Sequence, residues 1–290
     1  LLFPYNTALG NDQKFQHRYF VDGPVTVSDI RTGTTWRTAL VGTAGAGGRG
    51  VFALDVSSPA TFSASNVLWE ISDDVSGTTG QRIGHVLGKP LIVPTKNGTA
   101  APVWKAVFGN GFNSITGRPS LFVVNMQTGA VTSIEATEVA GPATPNGMGG
   151  VVLIDRYVSD SNTAGSDGYA DTAYGGDLHG NIWKFDLRTN TVANGGIPVF
   201  TAEVAGVRQP ITGGLEVAAG PGGGVLLYFG TGSYSFDTDV TDQSVQTIYS
   251  VLDTSPTTPV TKFRSNLAAQ QLLPTGGGTQ RTLNASAVNY

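Results

Sequence analysis

An all-β fold is predicted for this chain of 290 residues, and three features carry the prediction. Charged residues make up only 13%, glycines number 40, and Val, Thr, Phe, Tyr and Trp are spread along the whole length. That composition suits short, half-buried strands joined by glycine turns. Long segments of helical periodicity are absent; LAAQQLL at 267–273 is the best helical candidate, and it is short. The third feature is a recurring unit, in which an apolar strand runs into Gly-x-Gly or Gly-Gly, turns, and continues as a second strand ending in Asp or Asn. The terminal residues Asp55, Asn125, Asp186 and Asp253 lie 70, 61 and 67 positions apart. One such unit cannot bury its apolar face alone, so recurrence predicts a β-propeller or β-solenoid. Spacings above sixty leave room for long loops or degenerate blades. Radial closure also protects the edges of strands that carry few charges. Two stacked sheets with similar hairpins form the competing arrangement.

Taken in order, residues 1–19 are irregular, with Pro4, Asn6, Gly10 and Asn11, and lead into His17-Arg18-Tyr19-Phe20. VDGPVTVSDI (21–30) opens on a DG turn and continues as an alternating strand. TTWRTALVGT (34–43) and GVFALDV (50–56) form the first copy of the unit around a glycine loop. The second copy is APVWKAVFGNG (101–111) with LFVVNMQTGAV (121–131), and the third is DTAYGGD (171–177) with NIWKFDLRTNTV (181–192). GVLLYFGTGSYS (224–235) with TIYSVLD (247–253) makes the fourth. PLIVPT (90–95) and VVLIDRY (151–157) read as inner blade strands, while 57–80 and 132–150 read as loop-rich connectors. After Asp253 the chain is Thr/Pro-rich and ends without a clear cap.

Net charge is −4 with no basic run, which argues against nucleic acid as a partner. No apolar stretch approaches the ~20 residues that span a bilayer as a helix. Cysteine is absent, which excludes disulfides and thiolate metal sites and leaves the compartment open. The low-charge, Thr/Ser/Gly/Asn-rich composition suits a bacterial cell-surface protein. The chain starts Leu-Leu-Phe-Pro, so it reads as a processed or excised piece.

Chemistry concentrates between Asp155 and Leu187. Asp160, Asn162, Asp167 and Asp171 crowd one short loop, with Gly168 directly after Asp167. Clustered carboxylates repel one another unless a cation neutralises them, and calcium takes about six to eight oxygens at roughly 2.3–2.6 Å. Asp160 and Asn162 fit the first positions of a D-x-[DN]-x-[DN]-G loop, and Asp167-Gly168 fit its third position and turn. Thr163 to Ser166 stand where one residue is expected, and read as an outward-bulging insertion. Tyr169 would offer its carbonyl and Asp171 would close the site. An Asx-rich surface turn is the alternative reading.

Other motifs carry less. Gly45-Ala-Gly-Gly-Arg-Gly50 matches the dinucleotide pattern G-x-G-x-x-G, but a strand-like GVFALDV follows where a phosphate-binding helix is required. GHVLGKP at 84–90 is one residue short of a phosphate loop and has Pro90 where a hydroxyl belongs. His17, His85 and His179 show no zinc spacing and read as surface or packing residues. Asp237, Asp239 and Asp242 form a second acid group, read as a solvated loop or a weaker cation site. Trp36, Trp69, Trp104 and Trp183 lie in or beside apolar strands and are assigned to core or inter-blade packing.

The segments HRYFVDGPVTVSDI, TALVGTAGAGGRGVFALDV and KAVFGNGFNS, and above all DGYADTAYGGDLHGNIWKFDL, resemble the PilC/PilY family of type IV pilus tip-associated adhesins and biogenesis factors. QPIT, YFGTGSY and QTIYSVLD fit in the same order, so the resemblance covers roughly residues 15 to 275. It implies a modified β-propeller, seven-bladed in the intact domain, with antiparallel blades and long loops, of which residues 1–290 are one domain trimmed at both ends. It also implies calcium as cofactor, held by Asp160, Asn162, Asp167, Asp171 and the Tyr169 carbonyl. The implied setting is the pilus tip on the bacterial surface, without stable membrane insertion. The implied partners are minor pilins of the tip complex and a host or abiotic surface receptor. The implied role is to favour pilus extension, twitching motility and attachment, without enzymatic activity. A quinoprotein-like propeller dehydrogenase and a lectin propeller are the alternatives from other classes; the regular tryptophan docking signature of the former is missing.

Overall fold

The computed structural model describes residues 19–73, 77–97, 100–137, 145–158, 163–270, 272–274 and 281–283. Along them the chain builds successive antiparallel sheets. The first contains β1 (Val25–Thr32), β2 (Thr35–Thr43), β3 (Gly50–Asp55) and β4 (Val67–Ser72), paired in that order. The second repeats the pattern with β5 (Leu91–Thr95), β6 (Val103–Gly109), β7 (Ser120–Asn125) and β8 (Val131–Glu135). The third is centred on β9 (Met148–Ile154), β10 (Thr172–Asp177) and β11 (Asn181–Asp186), with the short β12 (Thr191–Val192) and β13 (Phe200–Thr201) both on β11. A small hairpin of β14 (Glu203–Val204) and β15 (Val207–Arg208) precedes the fourth sheet, β16 (Glu216–Ala219), β17 (Val225–Gly230) and β18 (Ile248–Asp253). The chain then returns to the third sheet, where β19 (Lys262–Phe263) runs parallel to β13. A last hairpin joins β20 (Leu272–Pro274) to β21 (Arg281–Leu283).

Sheets stack through their apolar faces, as blades must. Ile30, Val41, Val51, Trp69 and Ile71 of the first sheet pack on Ala106, Phe108, Phe122 and Val124 of the second. The opposite face of the second, with Val107, Leu121 and Val123, meets Ala173, Trp183 and Phe185 of the third. Tyr174, Ile182 and Phe200 then face Leu227, Phe229, Tyr249 and Val251 of the fourth. The period-2 alternation of strands produces this arrangement, since odd and even residues of one strand serve different seams. Phe200, Phe229 and Tyr249 cluster with ring centres 5.0–5.7 Å apart.

The four Asp/Asn positions of the repeat all end the third strand of a sheet. Each accepts a hydrogen bond from the backbone N–H two residues on: Asp55 from Ser57, Asn125 from Gln127, Asp186 from Arg188 and Asp253 from Ser255, at 2.7–3.0 Å. These Asx turns end the third strand of each sheet the same way, because a short polar side chain replaces the next ladder bond. In the first two sheets a polar residue at or just after the end of the second strand reaches the segment that follows. Thr43 Oγ1 donates to the Val86 carbonyl at 2.8 Å, and Asn110 Oδ1 accepts from Met148 N–H at 3.0 Å.

Several expectations need correction. The stretches 57–80 and 132–150 are more than connectors: they hold β4, β8 and the start of β9. Their strands are short and flanked by Ser, Thr and Asn, which masked the alternation. LAAQQLL forms no helix over its described residues; Leu272 and Leu273 pair with Leu283 and Thr282. Strand pairing there overrides a weak helical propensity. The glycine loop 45–50 is a single 3-10 turn running directly into β3, with no helix to hold a phosphate. Trp69 and Trp183 are buried; Trp36 is largely exposed yet meets Trp104 edge-on at 6.2 Å between the first two sheets. No helix among the described residues is long and apolar enough to cross a membrane.

Candidate functional site

The loop from Asp155 to Asp171 joins the first two strands of the third sheet, and two carboxylates shape it from opposite ends. Asp155, directly after β9, accepts from Ser166 Oγ at 2.6 Å, Asp167 N–H at 3.1 Å and Gly168 N–H at 2.6 Å. Asp171, directly before β10, reaches back to accept from Arg156 N–H at 3.0 Å and Tyr157 N–H at 2.8 Å, and also takes the Thr172 hydroxyl at 2.7 Å. Each acid thus holds the far arm. Asp155 was not singled out from sequence; its position at the end of the apolar run VVLI, like the Asx positions above, was the available signal.

Between these anchors the arms pair. Tyr157 and Ala164 form an antiparallel bridge, Val158 N–H donates to the Thr163 carbonyl, and Gly165 N–H donates to the Arg156 carbonyl. Thr163 to Gly165 thus pair with the opposite arm, and Thr163, Ala164 and Ser166 lie exposed on the surface. Asp160 and Asn162 lie outside the described residues. Gly168 adopts φ +89°, the left-handed conformation that the turn after Asp167 requires. Asp167 Oδ1 accepts from Tyr169 N–H at 3.2 Å, which closes an Asx turn there.

Burial pushes the Asp171 carboxyl above the usual carboxylate range, against the opposing pull of its Thr172, Tyr157 and Arg156 donors and of Arg188. The Arg188 guanidinium lies 4.5 Å from the Tyr157 ring centre and Arg156 lies 5.6 Å from it. Arg188 also pairs with Asp186 at 2.6 Å.

The described donors in this loop are oxygens: the Asp155, Asp167 and Asp171 carboxylates and the Tyr169 carbonyl. That set fits a hard divalent cation and not a soft one. Asp155 and Asp171 are already engaged in holding backbone amides, so their first role is to shape the loop. Among the described residues no three acids or histidines converge closely enough to hold a metal. In the second acid group, Asp239 caps a 3-10 turn. Its Oδ2 accepts from Ser233 Oγ, Ser235 N–H and Phe236 N–H. Burial opposes its ionisation, but those three bonds outweigh it and hold the carboxyl below the usual range. Asp242 takes both donors of Ser244. These acids serve their own turn.

Two buried polar clusters lie in and beside the third sheet, and of their members sequence reading marked Asp253 only as a strand end. Asp177, at the end of β10, has no exposed surface and accepts from Asn146 Nδ2, Asn181 Nδ2, Asn181 N–H and Trp183 Nε1 at 2.7–3.1 Å. Lys184 Nζ donates to Asp253 Oδ2 at 2.9 Å, and Tyr174 Oη donates to the same oxygen at 2.7 Å, joining the third and fourth sheets. His85 is half-buried with Nδ1 3.2 Å from the Gly45 carbonyl, and His179 is buried, so both are packing residues.

Comparison with known proteins is consistent across sequence and structure. The family model described as the PilY1 beta-propeller domain matches residues 7–287. A type IV pilus biogenesis factor PilY1 homolog of Xylella fastidiosa is 44% identical over 271 residues, which cover 89% of this chain and 18% of that protein. The type IV pilus biogenesis factor PilY1 of Pseudomonas aeruginosa PAO1 is 35% identical over 263 residues, covering 82% of this chain and 21% of that protein. The chain thus spans about a fifth of the length of these relatives. The crystal structure of the P. aeruginosa PilY1 C-terminal domain superposes with a TM-score of 0.73 at 32% identity, covering 93% of this chain and 59% of that one.

Proposed function

Because this chain belongs to the PilY1 β-propeller family of type IV pilus biogenesis factors, we propose that it is a calcium-responsive, non-enzymatic propeller segment of a pilus-tip adhesin. The observation that supports the cation is the Asp155–Asp171 loop, whose two arms are held by its own carboxylates and whose described acceptors are carboxylate and carbonyl oxygens. Asp160, Asn162, Asp167, the Tyr169 carbonyl and Asp171 would hold the ion. Calcium, when bound, supplies positive charge that relieves repulsion among these acids. The chain's own part is to fix the donors: Asp155 sets the Asp167-Gly168 turn, and Asp171 fixes the opposite arm.

A ligand that binds only the ordered loop stabilises that state by RT ln(1 + [L]/Kd), about 2.7 kcal/mol at a hundredfold excess over Kd. If the pilus machinery engages the ordered state, calcium biases extension over retraction, with consequences for twitching and attachment. Minor pilins of the tip complex and a host or abiotic surface are the partners this reading names. Titration calorimetry tests it. The wild-type chain is expected to bind calcium in the loop, and Asp167→Ala to lose that binding while keeping its β circular-dichroism spectrum. Unchanged binding in Asp167→Ala would remove the assignment.

A further inference from the structure

A groove of about 770 Å³ runs along the edge of the fourth sheet, between β18 and residues 262–270. Its apolar lining comes from Leu226, Tyr228, Ile248, Leu252, Phe263 and Leu267. In the first two sheets a fourth strand fills the corresponding edge, β4 on β3 and β8 on β7, whereas among the described residues β18 carries none. Ile248 on that edge is 88% exposed.

Backbone chemistry says what fits there. Thr231 N–H donates to the Thr247 carbonyl at 3.0 Å, and in an antiparallel pair such residues alternate, so Tyr249 and Val251 also turn their backbone groups to β17. Ile248, Ser250 and Leu252 turn theirs outward. Lys262 Nζ accordingly donates to the outward Leu252 carbonyl at 2.6 Å. No described group bonds the N–H or C=O of Ile248 or Ser250. β18 also lacks the lysine, proline or bulge with which natural edges avoid pairing.

The second sheet shows the kind of strand such an edge takes. Phe108-Gly109-Asn110 and Phe229-Gly230-Thr231 are equivalent, since Asn110 N–H donates to the Ser120 carbonyl at 2.9 Å as Thr231 N–H does to that of Thr247. Leu121 and Val123, which face Ile134 and Thr132 of β8, therefore match Ile248 and Ser250. Glu135, opposite Ser120, falls opposite Thr247, whose hydroxyl accepts from Arg264 Nη1 at 2.8 Å. The side chains of Lys262 and Arg264 line the groove and donate to neutral oxygens, and neither pairs with an acid among the described residues.

We propose that the outer edge of β18 is a docking site for an extended strand of another protein, one that alternates apolar and polar residues and carries a carboxylate for Arg264. Main-chain bonds to Ile248 and Ser250 supply affinity, and the side chains beside them set the choice of strand. An apolar residue opposite Ile248 removes that side chain from water. Neither calcium nor the Asp155–Asp171 loop takes part.

Fluorescence anisotropy on the 290-residue chain tests this with a labelled peptide Val-Thr-Ser-Ile-Glu-Ala-Thr, the sequence of residues 131–137. Saturable binding is expected. N-methylation of the isoleucine amide should weaken it about tenfold, and N-methylation of the serine amide should leave it little changed. In β8 the Ile134 amide faces the third strand and the Ser133 amide faces away, as the Asn125 N–H bond to the Ala130 carbonyl fixes. Glutamine for glutamate in the probe, or Arg264→Gln in the protein, should each weaken binding about threefold, and both together no further. No saturation up to ~1 mM probe, or equal loss from the two N-methyl probes, would overturn the strand edge. Additive losses from the two charge changes would overturn the match to Arg264. A chain that is dimeric by light scattering and becomes monomeric on adding the probe would make the occupant a second copy and overturn the assignment to another protein.

Discussion

Replacing Lys184 by methionine tests what holds the third and fourth blades together. Lys184 and Asp253 pair at 2.9 Å with side chains only 7% and 5% exposed, and Tyr174 shares the same carboxylate oxygen. Methionine keeps the length and most of the volume of lysine, so the substitution removes charge and hydrogen bonds rather than packing. It leaves the Asp253 carboxylate buried and the Ser255 hydroxyl without its lysine donor. Breaking a buried pair from one side costs about 3–5 kcal/mol. At ~2–4 °C per kcal/mol for a domain of this size, the melting temperature should fall by on the order of 10 °C. The double variant Lys184→Met/Asp253→Asn removes the orphaned charge, keeps an oxygen to accept from Ser255 N–H and turns an amide N–H toward the Tyr174 hydroxyl, so it should recover most of the loss.

The pH dependence has a definite sign. Burial pushes the Asp253 carboxyl up, but the charge and hydrogen bond of Lys184, with the bonds from Tyr174 and Ser255 N–H, outweigh it and hold it below the usual range. The stabilisation is therefore present above the unfolded value of about 3.9 and is lost as pH falls through the depressed folded one. In Lys184→Met the loss of stability should be largest near neutral pH and should shrink as the pH falls, because protonation neutralises the orphaned Asp253 carboxylate. Urea unfolding followed by tryptophan fluorescence reads both effects. A single variant within 1 kcal/mol of wild type, or a double variant no better than the single, would refute the reasoning.

Two further substitutions probe the loop and the close approach of Gly111 to His85. Asp171→Ala strands the half-buried donors of Arg156 and Tyr157 and should cost about 1–3 kcal/mol in urea unfolding even without calcium, more than Asp167→Ala, whose carboxylate takes the single backbone bond of Tyr169 described above. Equal stability of the two variants in chelator would contradict that division of roles. Gly111 adopts φ +72°, and a Cβ there would lie 2.1 Å from the His85 carbonyl oxygen, so Gly111→Ala should lower stability by more than 3 kcal/mol; a melting temperature within 2 °C of wild type would contradict it.

The sequence by itself determined the class of fold, the repeat and its phase. Asp55, Asn125, Asp186 and Asp253 were legible because an Asx turn is local chemistry: a short side chain answers its own backbone two residues on. The strand pairs of the four copies were legible for the same reason, since period-2 alternation and glycine turns act over a few residues. The acid-rich loop was visible as composition. Its internal architecture was not, because the work of Asp155 on Gly168 and of Asp171 on Tyr157 is done across 13 and 14 residues of chain. Only the tertiary structure decided which acids shape the loop, that Thr163 to Gly165 pair with its opposite arm, and that Ala170 reaches Pro94. It also decided that Lys184 meets Asp253 69 positions away. Contacts of that kind depend on how blades stack, and stacking follows from the burial of whole faces, which no short window of sequence contains.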